Sequence, residues 1–182
     1  PEKVLIAVGS CRCRLATHAC DCELKTDITI KTGASIYKSF FPEDYEVISK
    51  EEAKKLIKKL NKQGLVPMVY AFCIAGGSFE TFVICNCCKH SCIPILAQKI
   101  AKMHVFDPGE KVAFVDEELC KGCGTCIDIC QFDAREIING KAHVDYLKCY
   151  GCGACLLNCP TGATKMVKRP ERLKRGQITR LL

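Results

Sequence analysis

The chain has 182 residues and a formal net charge of +7, room for one medium domain or two small ones. Tryptophan is absent, apolar content is ordinary, and no apolar run approaches the ~18 residues that a membrane-spanning helix needs. The 17 cysteines are an odd count set in tight groups. That pattern argues against a disulfide scaffold and for shared metal ions in a reducing, anaerobic setting.

In chain order, Lys3–Val8 reads as a buried strand running into Cys11. The opening Pro1-Glu2-Lys3-Val4-Leu5-Ile6 lacks the architecture of a signal peptide, so a cytoplasmic protein is expected. Ser49-Lys50-Glu51-Glu52 is a capping box ahead of a helix over Ala53–Leu60. Leu56, Ile57 and Leu60 form its apolar stripe, and Gly64 is placed to stop it. Val66–Phe72 and Phe79–Cys85 follow as strands on either side of Gly76-Gly77, and Pro94 starts a helix reaching Met103. Residues 1–105 therefore read as a small α/β domain. Val105–Lys111, with Asp107-Pro108-Gly109 as its turn, reads as a linker.

Beyond the linker the chain repeats itself. Cys120, Cys123, Cys126 and Cys130 recur as Cys149, Cys152, Cys155 and Cys159, at an offset of 29 residues throughout. Val112–Val115 reads as a strand entering the first copy. Glu136–Val144 reads as a hairpin whose Asn139-Gly140 supplies a type I′ turn, and Ala163–Val167 as a last strand pairing with the first. Short helices are expected around Ile127–Cys130 and Leu156–Cys159. So small a core requires that metal ligation supply much of the stability.

Three cysteines at three-residue spacing on a loop can wrap three corners of a cubic cluster, while the fourth, on a helical turn, points away to the other cluster. One cluster is thereby assigned to Cys120, Cys123, Cys126 and Cys159, and the other to Cys149, Cys152, Cys155 and Cys130. Gly122, Gly124, Gly151 and Gly153 let backbone N–H groups approach the sulfides. The segment from Lys111 to Arg169 resembles the bacterial two-[4Fe–4S] ferredoxin family. Pro160 follows the last cysteine as that family's pattern expects, whereas Gln131 stands where the first half would have proline. The fold class for the whole chain is then α+β. A small α/β domain with clustered cysteines precedes a ferredoxin-like dicluster domain of two hairpins and two short helices over 111–169. A basic tail, 170–182, follows.

Nine cysteines remain. Cys11 and Cys13, Cys20 and Cys22, and Cys85, Cys87, Cys88 and Cys92 form three groups, and Cys73 stands alone. Strand ends at Val8 and Ile84 would bring the first and third groups to one edge of a sheet. The eight thiols could ligate a third iron–sulfur cluster, or one or two zinc ions, with Cys85, Cys87, Cys88 and Cys92 as the central set. Arg12, Arg14, Lys89 and His90 would offset thiolate charge, and His18 and His90 are further candidate ligands. This half resembles a module that precedes dicluster ferredoxin domains in some anaerobes, on Cys11-Arg12-Cys13-Arg14 and Cys85-Asn86-Cys87-Cys88. That resemblance implies association with electron transfer.

From Lys165 onward, seven basic residues face Glu171 alone, a net +6 of the chain's +7. No aromatic residue interleaves them, so nucleic acid is not an expected partner; a membrane surface, an acidic protein or the chain's own surface is. No phosphate loop, hydrolytic triad or nicotinamide fingerprint is present. The expected role is electron transfer, as a carrier or as a relay subunit of a larger oxidoreductase with a redox protein partner. The alternatives are an iron–sulfur enzyme reducing a small substrate at an N-terminal cluster, and a redox- or metal-responsive regulator.

Overall fold

A computed structural model describes residues 4–73 and 79–170; Gly76-Gly77 and the basic residues from 171 onward lie outside it. By internal contacts the chain divides into two units, 1–60 with 65–93 and 61–64 with 94–182. No helix among the described residues is long and apolar enough to cross a membrane.

The first unit is built from β1 (Ile6–Ser10), α1 (Arg12–Thr17), β2 (Lys25–Ile30), α2 (Thr32–Phe40), β3 (Glu46–Val47), α3 (Lys50–Lys62), β4 (Val66–Cys73) and β5 (Phe79–Cys87). The strands form one sheet in the order β3-β1-β2-β5-β4, antiparallel at every pairing. The unit mixes helix and sheet as expected, without the parallel strands of a βαβ fold. Helix α3 begins as its sequence dictates. The Ser49 hydroxyl accepts from the Glu52 N–H at 3.2 Å, and the Glu52 carboxylate accepts from the Ser49 N–H at 2.7 Å. Its apolar stripe covers one face of the sheet, where Ala53, Leu56 and Ile57 meet Ile6, Val8 and Ile28. Burying each large aliphatic side chain there contributes about 1.5–3 kcal/mol. On the other face α2 sets Ala34 and Tyr37 against Ala7 and Tyr45.

Helix α4 (Ile93–Ile100) is shorter than its expected span, and Lys102, at φ 54°, turns the chain away from helical geometry. The second unit then runs through β6 (Lys111–Val115), α5 (Thr125–Asp128), β7 (Arg135–Ile138), β8 (Lys141–Val144), α6 (Ala154–Asn158) and β9 (Thr164–Lys168). Strands β7 and β8 form the hairpin, turned by Asn139 and Gly140 at φ 50° and 75°. The other two-stranded sheet joins the first strand to the last, with Lys111 opposite Lys168 and Val115 opposite Thr164.

Candidate metal centres

In the second unit, each cysteine triplet rides a loop that only glycine can complete. Gly122 and Gly151 sit at φ 66° and 77°, and a Cβ there would lie 2.2 Å from the Gly140 carbonyl oxygen and 2.1 Å from that of Lys111. The loops can therefore close against the β7–β8 turn and β6 only without side chains at these positions. Each loop ends in a left-handed glycine, Gly124 or Gly153, that caps a short helix and carries Cys126 or Cys155 into its first turn.

The fourth cysteines lie with the opposite repeat. Cys130 lines one cavity together with Cys149, Cys152 and Cys155, and Cys159 lies within electrostatic range of Cys123. Burial, then the neighbouring thiols Cys155, Cys130 and Cys149, push Cys152 up to about 12, so bare thiolates are disfavoured there without added positive charge. Cys159 goes the other way, down to about 7. Burial opposes this shift, but hydrogen bonds from Thr164 and Thr161 outweigh it. The Ala134 N–H donates to Cys130 Sγ at 3.4 Å and the Ala142 N–H to Cys120 Sγ at 3.3 Å.

Two buried arginines complete this site. Arg135, 7% exposed, donates from Nη2 to Cys155 Sγ at 2.9 Å, while its Nη1 is buried with no hydrogen-bond partner. Its guanidinium also interacts electrostatically with Cys126 and Cys149, which belong to different repeats. Arg169, 2% exposed, donates to the carbonyl oxygens of Gly109, Tyr146, Lys111 and Cys149 at 2.6–3.2 Å, tying the last strand to the second cysteine loop. A cavity that four thiols line, with a buried cation that lacks part of its hydrogen bonding, fits an iron–sulfur cluster, whose thiolate ligation leaves negative charge to be offset.

In the first unit all three cysteine groups arrive at one end of the sheet. Strands β1 and β5 flank β2 and run in the same sense, so Cys11, just past β1, and Cys87, the last residue of β5, lie at the same end, where Cys20 and Cys22 precede β2. There the thiols separate into two sets. Cys20, Cys22 and Cys88 have their sulfurs within 4.8 Å of one another, with Cys20 and Cys88 at 3.6 Å. Leu56, Leu60 and Leu65 surround them. The other five form a run of interacting neighbours: Cys11 with Cys13, Cys13 with Cys92, Cys92 with Cys87, and Cys87 with Cys85. The run ends where Cys85 Sγ donates to Asp27 Oδ1 at 3.1 Å, and Tyr45 donates to the other oxygen of Asp27. The expected set of Cys85, Cys87, Cys88 and Cys92 is thus divided between the two.

Cys11 and Cys87 are pushed up, first by hydrogen bonds to neighbouring thiols and then by burial. Within the trio the shifts are opposed: hydrogen bonds from Ser91, Cys22 and Cys88 outweigh burial and hold Cys20 down to about 7, whereas burial and the neighbouring Cys20 and Cys88 push Cys22 up to about 12. Of the expected offsetting cations, Arg14 lies among thiols, with Cys11, Cys88 and Cys22 the charges nearest it. Arg12 instead pairs with Asp44 and stacks on Phe41, and His90 is exposed. Asp27, Ser91, Arg135 and Arg169 had no signal in the sequence, because nothing local distinguishes a buried polar residue of this kind from a surface one.

Two stretches of the chain, 113–136 and 142–165, match the 4Fe-4S binding domain family. Over 53 residues the chain is 47% identical to translation initiation factor RLI1 of Saccharomyces cerevisiae and 45% identical to ABC transporter E family member 1 of Arabidopsis thaliana. In both cases the match covers 29% of this chain and 8% of the relative. Over 37 residues it is 49% identical to one subunit of the ion-translocating oxidoreductase complex of Magnetococcus marinus, 20% of either chain. The chain therefore spans at most a fifth of the length of these curated relatives. The paired matches identify a dicluster ferredoxin domain over 113–165, with motifs for two [4Fe–4S] clusters.

Proposed function

We propose that this protein transfers electrons through two [4Fe–4S] clusters in a reducing cytoplasm, as a relay subunit or carrier serving a redox protein or larger oxidoreductase. Cys120, Cys123, Cys126 and Cys159 hold one cluster; Cys149, Cys152, Cys155 and Cys130 hold the other. Bound there, the clusters supply two adjacent one-electron sites. The chain's own residues do the rest. Arg135 offsets negative charge between the two ligand sets, Arg169 fixes the Cys149 loop, and Phe132 and Met166 wall the cavity with apolar surface.

The observation that carries this reading is the cavity in which Cys130 meets the triplet of the other repeat. The likeness to a component of an ion-translocating oxidoreductase complex is in keeping with a relay role.

Protein purified without oxygen and titrated potentiometrically under electron paramagnetic resonance tests it. About eight iron and eight sulfide per chain, two reversible one-electron transitions, and electron delivery to an added acceptor such as cytochrome c are expected. Protein that holds zinc at these cysteines, or clusters that cannot be cycled, would sink the proposal.

A further inference from the structure

We infer that Cys20, Cys22 and Cys88 form a mononuclear zinc site with three protein thiolates, its charge balanced by the buried guanidinium of Arg14. This inference goes beyond the electron-transfer reading and stands whether or not that reading holds.

Spacing separates a single ion from a cluster. Four-coordinate tetrahedral zinc with Zn–S bonds of about 2.3 Å sets its sulfurs about 3.8 Å apart. A cubane puts each thiolate on a different iron and so spreads its ligands farther. Cys20 and Cys88 stand 3.6 Å apart, and Cys22 lies within 4.8 Å of both. Among the described residues no other three metal-ligating side chains meet that limit, the eight ferredoxin cysteines included. The trio therefore has the spacing of a mononuclear site.

Arg14 is the independent observation. It is 4% exposed, and its guanidinium donates to neutral partners: the Glu23 and Asn86 carbonyl oxygens at 2.8 and 2.7 Å and Thr26 Oγ1 at 2.6 Å. Its Nε is buried with no hydrogen-bond partner. A cation is taken this far out of water only when anionic charge compensates it. The sulfur groups that act on its charge are Cys11, Cys88 and Cys22, two of them members of the trio. Three thiolates around a divalent ion leave one net negative charge, which a single guanidinium cancels. Thiolates at this separation without an ion would repel one another too strongly for Arg14 alone to hold.

The surroundings suit the ion. Leu56, Leu60 and Leu65 exclude water on one side, and the fully buried Ser91 hydroxyl lies 3.2 Å from Cys20 Sγ and fixes that sulfur. No fourth histidine, cysteine or carboxylate among the described residues joins the group, which leaves the fourth coordination position to a solvent molecule.

The test uses the full chain purified without oxygen or chelators, with zinc and iron counted per chain and zinc X-ray absorption recorded on the wild type. One zinc is expected, its first shell about three sulfurs near 2.3 Å and one lighter atom. Cys88→Ser should bring zinc below a tenth per chain and leave iron unchanged, while Cys92→Ser, in the other thiol set, should keep both. Twelve iron and no zinc would overturn the inference in favour of a third cluster. Zinc with no sulfur in its shell, or zinc-free protein that takes up none on dialysis against the metal, would overturn it as well. The absorption spectrum needs no variant, so misfolding of Cys88→Ser cannot shelter the idea.

Discussion

Arg135 donates a hydrogen bond to Cys155 Sγ at 2.9 Å while its own exposure to water is 7%. A buried positive charge held against a cluster ligand stabilises the more negative, reduced state over the oxidised one. Arg135→Gln should therefore lower one of the two reduction potentials by on the order of 50 mV, or about 1 kcal/mol for one electron. Iron content should be retained. Voltammetry of the variant beside the wild type reads this directly, and an unchanged pair of potentials would remove Arg135 from the tuning of the centre.

Exchange of the fourth ligand has a consequence opposite to sequence proximity. Cys130→Ala should halve the iron content by removing the cluster of Cys149, Cys152 and Cys155, and Cys159→Ala should remove the cluster of Cys120, Cys123 and Cys126. Because Arg135 hydrogen-bonds Cys155 but acts on Cys126 only electrostatically, the potential surviving in Cys130→Ala should respond less to a second change at Arg135 than the potential that is lost. Survival of the sensitive centre instead would reverse the assignment.

Gly151→Ala should be severe and Gly124→Ala mild, although both residues lie at positive φ. The left-handed backbone costs a non-glycine residue about 1–2 kcal/mol at either site. At Gly151 the new Cβ would also fall 2.1 Å from the Lys111 carbonyl oxygen, whereas at Gly124 it meets nothing within 4 Å. Overpacking adds about 1–3 kcal/mol. Iron retained after purification, compared between the two variants, is the measurement.

Arg169 makes four hydrogen bonds to backbone carbonyl oxygens from a site 2% exposed. Arg169→Lys keeps the charge but not the planar fork that reaches four acceptors. A loss of about 3 kcal/mol in stability is expected, since each such bond is worth about 1.5–3 kcal/mol when the donor is charged. Bleaching of the cluster absorbance in denaturant should accelerate correspondingly, and a variant as resistant as the wild type would show the clamp to be dispensable.

Local signals were legible. The Ser49–Glu52 box, the Asn139-Gly140 turn and the duplicated cysteine spacing each report on residues within one turn or loop, and the structure realises each. Strand β2 escaped notice for a physical reason. Its buried positions include Thr26, Asp27 and Thr29, whose polar atoms are satisfied by Arg14, Tyr45 and the Ala7 carbonyl oxygen, so no hydrophobic alternation marks it. The division of the N-terminal thiols was equally hidden. Cys85 and Cys87 share one face of β5, whereas Cys88 lies past its end and reaches Cys20 across 68 positions of sequence. Only the register of β2 against β5 decides that. Arg14 was legible as a cation beside the cysteine groups, whereas the burial of Arg135 and Arg169 depends on partners about 20 and more positions away and left no local mark.

The pairing of β6 with β9 bears on how the protein is made. Lys111 leaves the ribosome 57 positions before its partner Lys168, a wait of about 3 to 11 seconds at ordinary elongation rates of roughly 5–20 residues per second. During that interval the first cysteine loop is in solution without the strand that closes its unit and without Arg169. Synthesis therefore imposes an order on maturation: the nascent chain presents its thiols well before it can enclose a cluster, and whatever delivers iron must either follow translation or shield the waiting loop.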